Sequence, residues 1–401
     1  MPLQPAAELI LTAEKPVAGG RMLARHEGQI VFVAGAIAGE RVRARVERVS
    51  RQLAFAETID VLDASPDRRA STVDPACGGS LYAHIAYARQ LSLKSELIVD
   101  AFARIAKVAL AKPVEVMASP EDGYRMRARL HARNGRIGFF REGTHELCDA
   151  GLTRQLLPAA IDALKRLESS VIREAGTKGT AVSCELSENI PADERAVAIE
   201  YDNGRIELAP GYDSPSVTDR LNVAGAVVTL TRHVQSFFQG NRWLLEPLAA
   251  RVLAHVPDGR VIDLYAGAGL FSVSLAASGR CSITAVESDR FSAHDLKNNA
   301  APFAGVMTVR HTSVEQFLAS SAIRDAHTAV LDPPRTGVSG EAISGILALK
   351  VPRVVYVSCD VATLARDVKR FVQAGYRLEH IEAFDLFPNT AHVETLAVLV
   401  H

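Results

Sequence analysis

Apolar and polar residues alternate over short stretches at the start of the chain. Three runs, 8–12, 21–25 and 29–33, are separated by glycines or charged turns, and two longer runs follow at 41–49 and 54–62. Because successive side chains of a strand point to opposite faces, this alternation is typical of half-buried strands. A series of short strands broken by turns predicts a small β-barrel over residues 1–64.

The fourth of these runs places Arg41, Arg43 and Arg45 at every second position, so the three cations share one face of the predicted strand. A solvated outer face, offset by Glu40 and Glu47, accounts for this pattern. A stripe that contacts nucleic-acid phosphates is the alternative.

The second part of the chain, residues 74–215, follows a charged linker over 64–72 and is predicted to be an α+β domain with a helix over 82–108. It also contains a predicted strand in which cations alternate with apolar residues. The cations, all on one face, are Arg125, Arg127, Arg129, His131 and Arg133. A phosphate-contacting stripe and an ordinary exposed sheet face fit this pattern equally well.

Strands and helices alternate in the third part, residues 230–401. Such alternation predicts a doubly wound α/β sheet with helices on both faces. The order ends with two strands and no final helix, which is typical of a methyltransferase sheet with an antiparallel last strand. The predicted strands are 260–266, 282–287, 307–311, 328–331, 353–358, 377–384 and 394–400.

Composition narrows the class of protein further. The 401 residues suffice for about three domains, and 48% hydrophobic with 23% charged residues is ordinary for a globular chain. A net charge of −1 means that any contact with nucleic acid must come from local patches. No apolar run is long enough for a membrane span, so no membrane partner is expected. Five scattered cysteines suggest a reducing cytoplasm rather than a disulfide framework.

A glycine turn follows the first strand of the third part. Gly267 and Gly269 there let the backbone approach a ligand beside a helix N-terminus, and Glu287 ends the next strand at the spacing of a ribose-binding carboxylate. The third glycine of the dinucleotide fingerprint is missing at Ser272. The pattern favours S-adenosylmethionine over a nicotinamide or flavin, and a tight turn without a ligand is the alternative.

Asp332 ends the fourth strand and is followed by two prolines and Arg335. Ligands of open α/β sheets bind at the carboxyl ends of the strands, so Asp332 is expected in the same crevice as Gly267 and Glu287. Enzymes that methylate amino groups tend to have an aromatic residue after such a proline pair. Arg335 at this position disfavours that chemistry without excluding it.

Cys359 follows the fifth strand, beside a predicted helix N-terminus that should lower the pKa of its thiol, and Glu394 opens an otherwise apolar strand. A core cysteine and a surface charge are the alternatives. A thiol and a carboxylate base together suit methylation at C5 of uracil. Addition of a thiolate to C6 makes C5 nucleophilic, and a base must later remove the C5 proton.

The chain resembles the RNA uracil-5-methyltransferases, specifically bacterial members with an N-terminal TRAM barrel. The resemblance spans nearly the whole chain and rests on the motifs at 19–20, 39–41 and 54–57, Tyr124–Arg127, Phe237–Asn241, Asp332–Gly337, Ser358–Cys359, Ala365–Asp367 and Phe387–Glu394.

The resemblance implies a role for each site residue. Cys359 would be the nucleophile and Glu394 the base, while Phe237 would stack on a flipped base and Arg125 and Arg127 would contact RNA. The residues expected to bind S-adenosylmethionine are Gln239, Tyr265, Gly267, Glu287 and Asp332. Gly267 is included because it lies in the glycine turn.

One departure from the family concerns an iron-sulfur cluster that many relatives hold on four cysteines. The expected Cys-Gly-Gly-Cys turn reads Cys77-Gly78-Gly79-Ser80, the distal position aligns with Thr153, and Cys148 is out of register. We therefore predict no cluster and no other metal.

The sequence thus predicts a cytoplasmic, monomeric RNA uracil-5-methyltransferase acting on ribosomal RNA in preference to transfer RNA. A catalytically inactive RNA-binding module and an amino-group nucleobase methyltransferase are the alternatives.

Overall fold

The computed structural model describes residues 3–50, 53–174, 180–320 and 325–401. Its strands are β1 (Glu8–Thr12), β2 (Lys15–Pro16), β3 (Met22–His26), β4 (Gln29–Ala34), β5 (Arg41–Ser50), β6 (Leu53–Asp63), β7 (Val116–Met117), β8 (Arg127–Arg133), β9 (Arg136–Phe140), β10 (Leu147–Cys148), β11 (Ala181–Glu188), β12 (Arg195–Tyr201), β13 (Ile206–Leu208), β14 (Ser216–Val223), β15 (Ala226–His233), β16 (Gly259–Leu264), β17 (Cys281–Glu287), β18 (Met307–His311), β19 (Thr328–Leu331), β20 (Arg353–Ser358), β21 (Arg377–Phe384) and β22 (Glu394–Val400).

The helices are α1 (Tyr87–Ala101), which continues as a π-helical turn (Phe102–Ala106), α2 (Pro158–Glu174), α3 (Leu245–Ala254), α4 (Leu270–Ala277), α5 (Arg290–Ala300), which continues as a 3₁₀ turn (Ala301–Phe303), α6 (Val314–Ala319), α7 (Gly340–Ala348) and α8 (Val361–Gln373). None of the helices in the described ranges is both long and apolar enough to cross a membrane.

The N-terminal strands form the predicted β-barrel. Their order is β1-β5-β6-β4-β3-β2, and β4 runs parallel to β6. The sheet closes because the chain of β1, paired with β5, continues into β2, paired with β3. Inward side chains such as Leu11, Met22 and Val42 are almost completely buried and fill the interior. The alternation in the sequence was sufficient to predict this barrel because one face of each strand is buried and the other is solvated.

The outer face of β5 carries the first arginine stripe, and each of its cations has a carboxylate partner. Arg43 lies 2.8 Å from Asp60, and Arg45 lies 3.3 Å from Glu8. Arg41 is 3.8 Å from Asp63. Exposed pairs of this kind contribute little to stability, but they offset the positive charge of the stripe.

The central part contains a six-stranded antiparallel sheet, in the order β10-β9-β8-β11-β12-β13, followed by the β14-β15 hairpin. Helix α1 begins at Tyr87, later than the predicted residue 82. Residues 80–86 instead form turns, and the buried Gln90 side chain donates to the carbonyl oxygens of Tyr82 and Ile85. The predicted strand beginning at Arg125 starts two residues later, at Arg127, and its cationic face is the more exposed one, as predicted.

The C-terminal sheet has the order β18-β17-β16-β19-β20-β22-β21-β7. Strands β16 to β20 are parallel to one another, whereas β22 is antiparallel to both β20 and β21. Alternate residues of one strand face two different apolar clusters, Val261 on one side and Ile262 on the other. This confirms the doubly wound sheet with an antiparallel last strand.

A cysteine pair corrects the sequence-based interpretation of the cysteines. Cys77 and Cys148 form a disulfide across 71 positions of the chain, next to the β9-β10 ladder. The expectation of unpaired cysteines was wrong for these two residues, because β10 pairs with β9 and brings Cys148 to the Cys77 turn. Two cysteines still fall short of a four-ligand cluster. The absence of iron stays a prediction, which iron analysis of protein purified without oxygen would check.

A fully buried ion pair connects α1 to the third part of the chain. Lys94 Nζ donates to Asp385 Oδ1 at 2.5 Å and to the carbonyl oxygen of Phe387 at 3.1 Å. Burial lowers the pKa of the Lys94 ammonium, and Asp385 opposes that shift. The pair therefore holds the chain that leads from β21 towards Glu394.

We expect Lys94→Met to lower the free energy of unfolding by about 3 kcal/mol, because removing one partner leaves a buried charge uncompensated. Urea denaturation would measure the change. The matched control is Lys15→Met, since the Lys15 pair with Asp100 is exposed and should cost less than about 1 kcal/mol. Adding Asp385→Asn to Lys94→Met should recover part of the loss. Equal effects of the two single variants would contradict a stabilising role for this pair.

Candidate active site

Three carboxyl groups lie at the carboxyl ends of neighbouring parallel strands. Asp263 is buried near the end of β16, Glu287 ends β17, and Asp332 directly follows β19. The backbone N–H of Gly267 donates to Glu287 Oε2 at 2.8 Å, and those of Ser288 and Asp289 donate to Oε1 at 2.7 Å. The crevice edge is therefore acidic, as expected for the ligand site of an open α/β sheet.

The turn between β16 and α4 has three residues in the left-handed region: Tyr265 with φ 66°, Gly267 with φ 56° and Gly269 with φ 102°. An aromatic residue rarely adopts this conformation, and such strain concentrates at functional sites. A Cβ on Gly269 would lie 2.7 Å from Val273, so only glycine fits there. The backbone thus stays close to the crevice at the helix N-terminus.

The segment after β15 forms the opposite wall of the crevice. Gln239 is buried and donates from Nε2 to Asp332 Oδ2 at 3.1 Å, whereas Phe237 is 57% exposed. The Asn241 side chain donates to Ser119 Oγ at 2.8 Å and to the Leu386 carbonyl at 3.1 Å. The segment Phe237–Asn241 thus connects the crevice at the strand ends, the central part of the chain and the loop before β22.

Burial raises the pKa of both Asp263 and Asp332 to about 7. Repulsion from Glu287 adds to the shift of each carboxyl, and the hydrogen bond from Gln239 opposes that of Asp332. A crowded group of carboxyls becomes easier to ionise when a cation binds beside it. S-adenosylmethionine carries a sulfonium and an ammonium group, so this group of carboxyls fits such a ligand.

The affinity for S-adenosylmethionine should therefore depend on pH. The pKa of Asp332 is about 7, so the carboxyl becomes increasingly protonated as the pH falls below this value, whereas a bound cation favours its ionised form. Affinity should fall by up to about tenfold for each pH unit below 7 for one such group, and level off above it. Isothermal titration calorimetry between about pH 5.5 and 8.5 measures this dependence. Asp332→Asn should bind S-adenosylmethionine more weakly, and the slope of its log affinity against pH should be smaller by about one. An equal slope in both proteins would contradict the assignment.

The strand register brings Cys359 and Glu394 together. Ser358, the last residue of β20, pairs with Thr395 near the start of β22, so Cys359 and Glu394 occupy the next position of the same antiparallel ladder. Glu394 is 1% exposed, and its Oε1 atom has no hydrogen-bond partner among the residues that the structure describes. Cys359 is partly exposed as a free thiol. A buried carboxyl with one unsatisfied oxygen beside a partly exposed thiol is typical of a reactive site.

The expectation of a lowered thiol pKa was wrong. Burial raises the pKa of Cys359 to about 12, and the carboxyls of Glu394 and Asp332 add to the shift. The helix N-terminus is already capped by Asp360, whose side chain accepts from Thr363 N at 2.8 Å. The pKa of Glu394 is also raised, first by burial and then by Asp332. In the free protein the thiol is therefore protonated.

Arg335 is the residue whose role sequence reasoning missed. Its guanidinium is the cation that lowers the pKa of both Cys359 and Glu394 against the effects of burial. The residue was visible in the motif after Asp332. The sequence indicated only that Arg335 stands where enzymes that methylate amino groups tend to have an aromatic residue. A cation beside a thiol stabilises the thiolate, so Arg335 belongs to the reactive centre.

A cavity of 510 Å³ lies where the three parts of the chain meet. Arg335 and His392 line one side, and Tyr124, Arg125 and Phe139 line another. This volume suits a nucleotide-sized ligand. Arg125 has its guanidinium 5.2 Å from the Phe139 ring and donates to Gln155 Oε1 at 2.7 Å, whereas Arg127 lies 3.5 Å from Glu185. The cavity thus extends from Arg335 to residues of the second arginine stripe.

The doubly wound sheet with its antiparallel last strand, and the acidic crevice at its strand ends, are typical of a methyltransferase. Comparison with known families agrees with this class. The model of the tRNA (Uracil-5-)-methyltransferase family matches residues 204–401, and that of the TRAM domain matches residues 8–59.

Curated relatives match along nearly the whole chain. The 23S rRNA (uracil(1939)-C(5))-methyltransferase RlmD of Pseudomonas putida is 31% identical over 97% of this chain and 92% of its own length. An uncharacterized RNA methyltransferase, Bd3828 of Bdellovibrio bacteriovorus, is 29% identical over 98% of this chain and 95% of its own length. The chain belongs to the RNA uracil-C5-methyltransferase family, and it is an S-adenosylmethionine-dependent enzyme.

A solved structure shares the fold. The tRNA (uracil-54, C5)-methyltransferase of Pyrococcus abyssi, in complex with S-adenosyl-L-homocysteine, superposes with a TM-score of 0.77 at 24% identity, over 98% of this chain and 99% of that chain. The order of barrel, central part and catalytic sheet is thus common to both proteins.

Proposed function

We propose that this enzyme methylates C5 of a uridine in ribosomal RNA through a covalent bond between Cys359 Sγ and C6 of the base. The names of the relatives that match along more than nine-tenths of both chains support ribosomal RNA as the substrate. The observation that carries the mechanism is the buried Glu394 carboxyl on the strand next to Cys359. Its Oε1 atom has no hydrogen-bond partner among the residues that the structure describes. Methylation of an amino group would need neither of these residues.

The proposed reaction has three steps: addition of the thiol, methyl transfer and elimination. The Cys359 thiol first loses its proton to water. The thiolate then adds its electron pair to C6, and the electrons of the C5–C6 double bond move into an enolate. C5 then attacks the methyl group of S-adenosylmethionine, whose sulfonium supplies an electrophilic carbon and departs as a thioether. Glu394 takes the proton from C5, the C5–C6 double bond re-forms, and the thiolate leaves C6.

The cofactor is held, in this proposal, by residues from three walls of the crevice. Glu287 accepts from the ribose hydroxyls, the Gly267 turn gives the ligand close access to the helix N-terminus, and Asp332 with Gln239 lies towards the positive groups. The complete set is Gln239, Tyr265, Gly267, Glu287 and Asp332.

The thiol needs help to ionise, because its pKa is about 12 in the free protein. Arg335 supplies one positive charge beside it. A cationic methyl donor in the neighbouring carboxyl crevice supplies another, since it neutralises the charge of Asp332 that disfavours the thiolate. The thiolate should therefore form in the enzyme that has already bound S-adenosylmethionine.

RNA contacts centre on the cavity between the three parts. Phe237, exposed at the crevice, offers a ring on which an extruded base can stack. Arg125 has no carboxylate partner within 4.0 Å among the residues that the structure describes, whereas Arg127 is opposed by Glu185 and Arg129 by Glu200. Arg125 also lines the cavity, so it is placed to contact a phosphate there, and Arg127 contributes to the same positive face.

We expect Arg125→Ala to weaken RNA binding and to reduce the slope of log affinity against log salt by about 0.7, the effect of one lost contact to single-stranded phosphate. Fluorescence anisotropy at several salt concentrations would measure it. The control Arg129→Ala, which removes an exposed arginine already paired at 2.7 Å with Glu200, should change the slope less. Equal slopes for Arg125→Ala and the unmodified protein would exclude the contact.

The proposed substrate is tested by mapping 5-methyluridine in ribosomal and transfer RNA from a strain lacking the gene. Mass spectrometry of RNase fragments should show the loss of one 5-methyluridine from ribosomal RNA, restored by the wild-type gene and not by Cys359→Ala. Loss from transfer RNA alone would overturn the choice of substrate. We place the enzyme in the cytoplasm, where ribosomal RNA is made, as a monomer with no membrane partner, and light scattering would check the monomer.

A further inference from the structure

Two histidines and a glutamate converge outside the active-site crevice. His255 follows the C-terminus of α3, and His380 and Glu382 lie on one face of β21. The two imidazole rings are 4.5 Å apart, and one ligand atom from each of the three side chains lies within 4.8 Å of the others. Neither the proposed reaction nor the proposed RNA surface uses this cluster.

Both histidines direct the same atom towards one carboxylate oxygen. His255 Nε2 is 3.4 Å and His380 Nε2 is 3.3 Å from Glu382 Oε1. Both Nε2 atoms are buried, yet neither makes a hydrogen bond with good geometry to any residue in the described ranges. Buried polar atoms are almost always satisfied, so two neighbouring exceptions that face one oxygen point to an absent partner.

The spacing suits a tetrahedral metal ion. Bonds of about 2.0–2.1 Å from zinc to nitrogen or oxygen place adjacent ligand atoms about 3.3 Å apart. The two observed nitrogen–oxygen separations match this value, and the two nitrogens lie within 4.8 Å of each other. Imidazole and carboxylate ligands together suit zinc and its neighbours in the first transition row.

The surroundings hold the ligands in place. Arg251 donates from Nε to both oxygens of Glu382, at 3.0 and 2.9 Å, which orients the carboxylate while Oε1 keeps lone pairs free for another partner. An irregularity in β21 between Leu378 and His380 shifts the register against β22 directly before the His380 ligand. The Glu382 side chain is 13% exposed and that of His380 is 35% exposed, so an ion can reach the cluster.

We propose that His255, His380 and Glu382 form a binding site for one divalent transition-metal ion of the zinc type, which links the end of α3 to β21. A histidine–carboxylate ion pair without metal is the competing explanation. The two differ in whether the folded protein binds zinc.

The experiment titrates Zn²⁺ into protein freed of metal by a chelator, at about pH 7.5 where free histidines are neutral. Calorimetry should give one site per chain. The His380→Ala variant should bind at least about tenfold more weakly, whereas the matched control His294→Ala, which removes a histidine with a 74% exposed side chain outside the cluster, should bind as the unmodified protein does. Co²⁺ should give the visible absorption bands of a tetrahedral site in the unmodified protein and in His294→Ala, but not in His380→Ala.

Two further measurements separate this site from other effects. Methyl transfer by His380→Ala should equal that of the unmodified enzyme, which shows that the variant is folded. The site should persist in Cys359→Ala, which excludes the reactive thiol as the ligand. Zinc binding weaker than about 100 μM, or equal binding by His380→Ala, would overturn the proposal and leave only an ion pair.

Discussion

The Glu394→Gln enzyme should accumulate on its RNA as a covalent adduct that survives denaturing electrophoresis. Glutamine keeps the shape of the side chain at this buried position but cannot accept the C5 proton, so the step that frees Cys359 from C6 is blocked. We expect release of methylated RNA to slow by about 10²–10⁴-fold, the usual contribution of a general base. Gel mobility of labelled RNA, with and without protease, measures the adduct.

Removal of the Cys359 thiol should abolish the adduct that Glu394→Gln accumulates. Cys359→Ala should form neither adduct nor product, and activity should fall by at least about 10⁴-fold. RNA with fluorine at C5 should trap the unmodified enzyme, because fluorine cannot leave as a proton does. The control Cys281→Ala, which changes a buried free cysteine in the core, should still be trapped. An active Cys359→Ala enzyme would exclude the C6 adduct and favour methylation of an amino group.

Arg335→Met should slow adduct formation by about 10²-fold or more. The guanidinium is the cation that opposes the effect of burial and of two carboxyls on the Cys359 thiol, and removal of one donor to a developing anion typically costs about 10²–10³ in rate. The pH at which trapping by fluorinated RNA becomes fast should also move upward, because the thiol pKa rises further.

Rapid mixing with fluorinated RNA across a pH series measures both quantities. Arg335→Lys should recover part of the rate of adduct formation, since lysine restores the positive charge but not the planar guanidinium group. Arg370→Met is the control, because Arg370 is an exposed arginine on α8. An unchanged pH profile in Arg335→Met would show that Arg335 does not act on the thiol.

Local pattern predicted much of the architecture. The strands of the barrel and of the catalytic sheet lie within a few residues of the expected ranges, because alternation records which face of a strand is buried. Glu287 and Asp332 were placed in one crevice on the same basis, since the ends of parallel strands meet at one edge of a sheet. The strand pair at the end of the chain correctly predicted the antiparallel β22.

Contacts between distant positions could not be predicted from such patterns. Lys94 and Asp385 are 291 positions apart, and only the packing of α1 against the catalytic part brings them together. The Cys77–Cys148 disulfide depends on the pairing of β9 with β10, which no spacing between the cysteines revealed. The His255 cluster likewise requires α3 to end beside β21.

The sequence by itself determined which elements form, which of their faces are buried, and which residue types could carry methyl transfer, because these properties depend on short-range periodicity and on side-chain chemistry. Only the tertiary structure decided the electrostatic state of those residues. Cys359 was expected to have a lowered pKa from its position before α8, yet burial and the carboxyls of Glu394 and Asp332 raise it. A pKa depends on every charge and on the solvent around a group, and those are set by the packing of distant parts of the chain.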